Sequence, residues 1–336
     1  MNAVIMAGGY GTRLKSISGD LPKPMVDLAG KPVLEHTLLL LKRNGIENVC
    51  MSLHYSPEVI REYFGSGEKW GMRISYHVES EPLGTAGGVK ACRDFTGSRD
   101  FLVISGDCVC NFDLRALMEA HRRHGSAVTM ALVPHSAPLS YGIVLTDNLG
   151  RVVSFTEKPR WRQVVSDMIN TGIYVISPKA MELVPEGEPY DFSKQLFPAL
   201  LEKGMEIRAL PMEGYWCDIG TPRAYHQCCI DAIDGRIFPD SPDSEASPDS
   251  EPEESGCECR CKDRARTMRV ISQALMEAGA DFSDGLTLPT PEGRVTITPS
   301  GKNESIIIGT DCRDPEISRQ LTDKFRKFIN NTGAFE

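Results

Sequence analysis

The sequence predicts an α/β protein: a doubly wound sheet, a second half of mixed strand direction, and a small α+β module at the C-terminal end. Three observations carry this. Short apolar runs alternate with helix-length amphipathic runs as far as residue 105, the alternation is lost after Ser126, and a tract rich in Pro, Ser and acidic residues at 239–256 divides the chain. Strand-length apolar runs separated by helices make a parallel sheet covered on both faces. Strands with few helices between them pair antiparallel. The tract buries too little apolar surface to offset its ordering entropy.

The elements follow in order. A strand at 3–6 runs into a glycine loop, and a helix at 33–43 stops at Gly45. Next come a strand at 49–53, a helix at 57–64, a strand at 72–77 and a glycine-opened helix ending at Ala91. The run at 101–105 is the most apolar of this half and stops at Gly106 and Asp107, as a buried central strand does. Together these elements predict a Rossmann-like sheet. Strands at 128–133, 143–145, 152–155 and 173–176 form the mixed half, completed by a helix at 192–203, a strand at 207–210 and a helix at 222–233 opened by Pro222. Beyond the tract, helices at 264–278 and 315–329 flank strands at 294–298 and 305–308. The domains are therefore 1–236, an acidic disordered linker at 237–261, and 262–336.

Composition narrows the class of protein. A chain of 336 residues exceeds what one core usually organises, and 41% hydrophobic with 25% charged residues is the balance of a soluble globular protein. Seven acidic residues and no Lys or Arg lie between Phe238 and Gly256, so of the formal charge of −9 only −2 falls elsewhere. No basic stripe points to nucleic acid, and no run approaches the ~18 apolar residues of a membrane span. The start MNAVIMAGG has no charged leader, and eleven cysteines without a secretion signal suit a reducing compartment; the expected location is the cytoplasm. A homo-oligomer is left open.

The chemistry concentrates in a few motifs. The loop Ala7-Gly8-Gly9-Tyr10-Gly11-Thr12-Arg13-Leu14 follows the first strand at the carboxyl edge, where open α/β sheets bind ligands. Its glycines let backbone N–H groups approach a triphosphate. It is not a Walker A loop, lacking Gly-Lys-Ser/Thr, nor a dinucleotide fingerprint, since Leu14 replaces the third glycine. A glycine loop alone reads equally well as a structural turn. Here it is followed by Leu21-Pro22-Lys23-Pro24-Met25, so Arg13 and Lys23 supply fixed cations of the kind phosphoryl-type transfer needs.

AGGYGTRL followed by LPKPM resembles the signature of sugar-1-phosphate nucleotidyltransferases, and the resemblance extends over residues 1–235. It implies that Arg13 and Lys23 are catalytic, that Ala7, Gly8, Gly9, Gly11 and Thr12 bind the nucleotide, and that Asp107 in ISGDCV and Asp218 in YWCDIGTP hold Mg²⁺. Hard carboxylate oxygens suit that ion, which keeps waters and phosphates as its other ligands. Gly142 after Tyr141, Glu157-Lys158 and Asn170 match the family's sugar-phosphate site in the mixed half. Gly84 and Thr85 in PLGTAGG match its base-binding loop, in the form associated with guanylyl-accepting members. The implied partners are GTP and mannose 1-phosphate. Glucose 1-phosphate with dTTP or UTP is the alternative, and a non-catalytic sensor of nucleotide sugars is the reading from another class. Loss of Arg13, Lys23 or either aspartate would favour the sensor, and all four are present.

Residues 291–301 and the strand and helix after them resemble the last domain of phosphohexomutases. Ser300 and Gly301 match that family's phosphate loop, while Thr298 stands in place of its Arg and Lys302-Asn303-Glu304 in place of Thr-Glu-Pro. With neither a phosphoserine loop nor a DxDxD metal loop in the sequence, mutase activity is expected to be absent. Association with a mutase remnant favours mannose. Cys257, Cys259 and Cys261 alternate with polar residues and read as a linker end more readily than as a soft-metal site. On these assignments Arg13→Ala and Asp107→Ala should each lower turnover by orders of magnitude. Near wild-type pyrophosphate release by purified Asp107→Ala would remove the metal assignment.

Overall fold

The strand Phe101–Ser105 (β4) lies at the middle of the sheet because every neighbour it needs is apolar on both faces. In this computed structural model, which describes residues 1–160, 163–237, 256–260, 286–290, 293–299, 305–311, 319–320 and 322–327, nine strands share that sheet. In chain order they are β1 (Asn2–Met6), β2 (Asn48–Leu53), β3 (Arg73–Val78), β4, β5 (Val128–Pro134), β6 (Gly142–Thr146), β7 (Val152–Glu157), β8 (Met168–Ile176) and β9 (Ile207–Pro211). β3, β2, β1 and β4 lie side by side, all parallel. Beyond β4 the direction reverses: β8 runs antiparallel to β4, and β5 and β6 run antiparallel to β8. β7 pairs antiparallel with β6, and β9 lies parallel to β5. The doubly wound parallel half and the mixed half are thus both as expected.

Side-chain alternation explains the two layers. Ala3 and Ile5, Val49 and Met51, and Leu102 and Ile104 bury into one core with Leu34, Leu38 and Leu41 of helix α1 (Val33–Arg43) and Ile60 and Phe64 of α2 (Pro57–Phe64). Val4, Cys50, Phe101 and Val103 point the other way, onto Ala86 and Val89 of α3 (Gly84–Ala91) and onto Phe192, Leu196, Phe197 and Leu200. Strands buried on both faces need no polar alternation.

Residues 106–125 carry no expected element, yet Leu114–His124 is a helix, α4. Leu114, Leu117, Met118 and His121 bury along one stripe, the Asp113 carboxylate accepts from the Arg115 N–H at 3.0 Å, and Gly125 ends the helix with φ +62°. β8 starts five residues earlier than expected because Gly172, at φ +78°, breaks the register between Asn170 and Tyr174 and hides the polar half of the strand. The expected helix at 192–203 is a π-type turn, Phe192–Leu196, leading into the α-helix Phe197–Glu202. Pro198 has no N–H to give the Lys194 carbonyl, so an uninterrupted α-helix cannot form there. The last helix of this part, α5, spans Pro222–Ile233 as expected.

The chain divides into two compact units, one of Met1–Pro134, Ser140–Pro159 and Met168–Ser247, the other of Pro248–Glu336 with His135–Leu139 and Arg160–Asp167. In the second, Gly256–Arg260, Ser305–Asp311, Gly293–Pro299 and Leu286–Thr290 form an antiparallel sheet in that spatial order. Gly256–Arg260, counted with the linker from sequence, is therefore a strand: its residues pair from Gly256↔Gly309 to Arg260↔Ser305. Leu286–Thr290 is a strand that sequence reading did not assign. Residues 319–320 and 322–327 are helical, and Val295, Ile297, Ile306, Ile308 and Phe325 are buried. The bulk of the acidic tract, the expected helix at 264–278, Cys261 and the loop at 300–304 lie outside the described residues. Among the described residues no helix is long and apolar enough to cross a membrane.

Ile104 is fully buried on β4, where the parallel half meets the mixed half. Ile104→Ala should cost about 2–5 kcal/mol, read as a lowered denaturation midpoint of the first unit; an unchanged midpoint would mean that this core is not what holds the sheet.

Candidate functional site

The site begins where β1 ends. The Ala7 N–H donates to Ser52 O at 2.9 Å and the Gly106 N–H to Met6 O at 2.9 Å, which holds the glycine loop and the chain leaving β4 against one edge. Gly11 takes φ +60°, and a Cβ there would stand 2.7 Å from Lys23 Cβ. Glycine at this point is thus what lets the loop lie on Lys23. Leu14 anchors the loop in a core with Val26, Leu28, Val109 and Ile219, leaving Arg13 exposed on the same turn.

Lys23 is 6% exposed, and its Nζ donates to Asp107 Oδ2 at 2.7 Å and to Asp218 Oδ1 at 3.0 Å. Burial disfavours the ammonium, but the two carboxylates outweigh it and hold the Lys23 pKa above its ordinary value. Burial likewise disfavours the Asp107 carboxylate, and Lys23 together with the Ser105 hydroxyl overcomes this and lowers its pKa. Ser105 Oγ donates to Asp107 Oδ1 at 2.5 Å. Asp218 reaches the site through a feature invisible in the sequence: the short strands Cys108–Cys110 and Trp216–Asp218 pair antiparallel with Asp218 opposite Cys108. Arg13 lies beside them, since a Cβ on Gly220 would meet Arg13 Nη2 at 3.1 Å and Asp218 Oδ2 at 3.0 Å.

The mixed half supplies the opposite wall. Lys158 adopts φ +45°, rare for a side chain with a Cβ, and its N–H donates to Tyr141 O at 2.9 Å. A Cβ on Gly142 would stand 2.6 Å from the Phe155 ring and 2.8 Å from Glu157 Oε2, so only glycine fits there. Burial raises the Glu157 pKa, with Lys158 opposing, and burial pushes Tyr141 up to about 12, with Asp218 adding to it. Asn170 Nδ2 donates to the Tyr174 hydroxyl at 2.8 Å, and Asn170 Oδ1 accepts from the Gly172 N–H at 3.1 Å.

A cavity of about 330 Å³ brings together Arg13, Lys23, Thr85, Asp107, Gly142, Glu157, Lys158, Asn170 and Asp218. Ala7, Gly8, Gly9, Gly11, Thr12 and Gly84 do not line it; Gly11 acts on it through Lys23. Thr85, expected to read the base, lines the cavity with its hydroxyl engaged inside the protein. Its hydroxyl donates to Asp191 Oδ2 at 3.0 Å and accepts from the Phe192 N–H at 2.9 Å, while Tyr190 O accepts from the Ala86 and Gly87 N–H groups. Ser105, Ser193, Lys194 and Trp216 also line the cavity and went unassigned from sequence. Only Trp216 carried a signal, two residues before Asp218 in YWCD. A larger hollow of about 720 Å³ opens near Asn2, Asn48 and Arg122 at the amino ends of the parallel strands and holds none of the expected residues. Ligands of open α/β sheets bind at the opposite, carboxyl edge, which favours the smaller cavity.

A doubly wound sheet whose carboxyl edge gathers cations and paired carboxylates defines an α/β protein suited to phosphorylated ligands. The chain belongs to the nucleotidyl transferase family, whose model matches residues 2–234. It is 36% identical over 240 residues to a UTP–glucose-1-phosphate uridylyltransferase of Synechocystis, covering 68% of this chain and 62% of that protein. It is also 36% identical over 236 residues to a mannose-1-phosphate guanylyltransferase of Mycobacterium tuberculosis, covering 70% and 65%. The match thus spans a little over three fifths of these curated relatives. Among solved structures, HddC from Yersinia pseudotuberculosis complexed with GMP-PN is 32% identical with a TM-score of 0.60, covering 69% of this chain and 99% of that one. A putative glucose-1-phosphate thymidylyltransferase from Bacillus anthracis is 25% identical with a TM-score of 0.63, covering 69% and 95%.

Gly11→Ala should force Lys23 off its seat and add about 1–2 kcal/mol of left-handed strain, so a modest loss of thermal stability should accompany a large loss of activity. Gly9→Ala, with open space around its Cβ position, should leave the melting temperature unchanged. Full activity in Gly11→Ala would show that the seat of Lys23 does not matter.

Proposed function

We propose that the chain transfers a nucleotidyl group from a nucleoside triphosphate to a sugar 1-phosphate and releases pyrophosphate. The observation that carries this is one cavity in which Arg13, Lys23, Asp107 and Asp218 face Glu157, Lys158 and Asn170. Direct displacement at the α-phosphorus needs no protein nucleophile, so positioning and charge supply the rate. Lys158 would hold the sugar phosphate, with Glu157 and Asn170 on sugar hydroxyls and the Gly142 backbone facing the ring. Arg13 and Lys23 would stabilise the triphosphate and the departing pyrophosphate.

Asp107 and Asp218 would hold Mg²⁺. The donor set fits: an oxygen of each lies within 3.0 Å of one atom, Lys23 Nζ, so one small cation can touch both. An ion of this kind takes one or two carboxylates and keeps waters and phosphates as its further ligands. Bound there, the ion would offset charge on the reacting phosphates.

GTP and mannose 1-phosphate are the preferred pair, supported by the PLGTAGG loop, by relatives named mannose-1-phosphate guanylyltransferase, and by the HddC structure with GMP-PN. UTP with glucose 1-phosphate is the second reading, favoured by the equally similar uridylyltransferase. We place the protein in the cytoplasm, a reducing compartment in which free thiols such as Cys50, Cys92, Cys108 and Cys228 persist.

A pyrophosphate-release panel of four nucleoside triphosphates against mannose, glucose and heptose 1-phosphates, with and without Mg²⁺, should give the highest kcat/KM for GTP with mannose 1-phosphate and no turnover without the metal. Silence across the panel would overturn the reaction, and a uridylyl or thymidylyl optimum would overturn the preferred pair.

A further inference from the structure

Lys23 occupies the point that the proposed cation needs. Its ammonium sits 2.7 Å from Asp107 and 3.0 Å from Asp218 and is nearly sealed from solvent, with 7% of its side chain exposed against 32% and 27% for the two aspartates. The lysine backbone is held there by Pro22 and Pro24, by the short helical turn Lys23–Met25, and by Gly11 packed on its Cβ. An ammonium and a divalent ion cannot both occupy the point between Asp107 Oδ2 and Asp218 Oδ1, and like charges a few ångströms apart repel strongly in a partly buried site.

We propose that Lys23 is a built-in counter-ion that keeps the carboxylate pair closed to divalent cations in the free protein, and that the cation enters only when a polyphosphate draws the ammonium away. The inference rests on the reading of Asp107 and Asp218 as metal ligands. The exchange is electrostatically matched: the lysine leaves one anionic partner for another, and the pair passes from a unipositive to a dipositive companion without being left bare. A bare carboxylate pair would carry the cost of uncompensated buried charge. Arg13, exposed on the same wall, stays available to receive the polyphosphate as the lysine moves.

The test is cation binding to the full chain without any nucleotide. Mn²⁺ is titrated as the probe and the free ion is counted by electron paramagnetic resonance. Wild type should bind Mn²⁺ weakly, on the order of millimolar. Lys23→Met and Lys23→Gln should each bind one Mn²⁺ roughly tenfold or more tightly than wild type, and adding Asp218→Asn to Lys23→Met should abolish the gain. Equal affinity in wild type and the folded lysine variants would overturn the proposal. Micromolar binding by wild type would overturn it even if neither variant folds, as judged by thermal melts. Tighter Mn²⁺ binding by the variants alongside a silent pyrophosphate panel would unseat the reaction and leave the exchange standing; an active panel with unchanged Mn²⁺ affinity would do the reverse.

Discussion

A lysine ammonium held between two aspartates sets the tolerances of this molecule. Lys23, Asp107 and Asp218 lie 84 and 195 residues apart in the chain, yet they meet within 3.0 Å. Burying a lysine is costly unless its charge is paired and hydrogen-bonded, so each of the three segments must arrive with little freedom. Gly11 without a Cβ, the prolines flanking Lys23, and the pairing of Asp218 opposite Cys108 are three local answers to that single demand. With two carboxylates and one ammonium, the cluster remains anionic beside an exposed arginine.

The sheet makes such accuracy affordable. Three of its four parallel strands, β1, β2 and β4, are packed on both faces, so their carboxyl ends form a rigid platform for the glycine loop and Asp107. The mixed half is tied to that platform at two places. β8 pairs directly with β4, and the segment 190–192 is zipped onto the start of α3 through Tyr190 O, Thr85 and Asp191. A wall bearing Glu157, Lys158 and Asn170 is therefore registered against a wall bearing Lys23 and the aspartates through hydrogen bonds.

What could be read from the sequence followed the range of the interactions involved. Helices α1, α2 and α5 fall at their expected ends because periodicity, Pro at the start and Gly at the stop are all local signals. α4 carries the same kind of signal, Asp113 at its cap and Gly125 at its end, but lies between two stronger strand runs. The ribbon that delivers Asp218 could not be read, since three-residue strands have no periodicity to measure and their pairing spans more than a hundred residues. Lys194 and Ser193 reach the cavity by tertiary placement alone. The motifs pointed to Arg13, Lys23, Asp107 and Asp218 through the resemblance to sugar-1-phosphate nucleotidyltransferases, and the fold brings all four to one cavity. In the second unit, the strand Gly256–Arg260 was concealed by the polar sequence that precedes it.

Reaction class and substrate differ in legibility for a physical reason. Phosphates are held by full charges, which short motifs carry, whereas a uridylyltransferase and a guanylyltransferase are each 36% identical to this chain, so identity of this degree does not separate the bases. A base is distinguished by a few hydrogen bonds, each worth only about 1–3 kcal/mol, from groups whose aim depends on loop shape. Here the loop before α3 is shaped by Glu79, which accepts from the Ser52 hydroxyl at 2.6 Å and from the Leu83 N–H at 2.9 Å. Glycine at 88 leaves that carboxylate its place, since a Cβ there would stand 2.5 Å from Glu79 Oε1. The Ala86 and Gly87 N–H groups, which a glycine-rich helix start would otherwise offer to a ligand, are spent on Tyr190 O. Whatever reads the base must therefore be drawn from the groups this scaffold leaves over. Family motifs do not encode that remainder, whereas they do encode the charges.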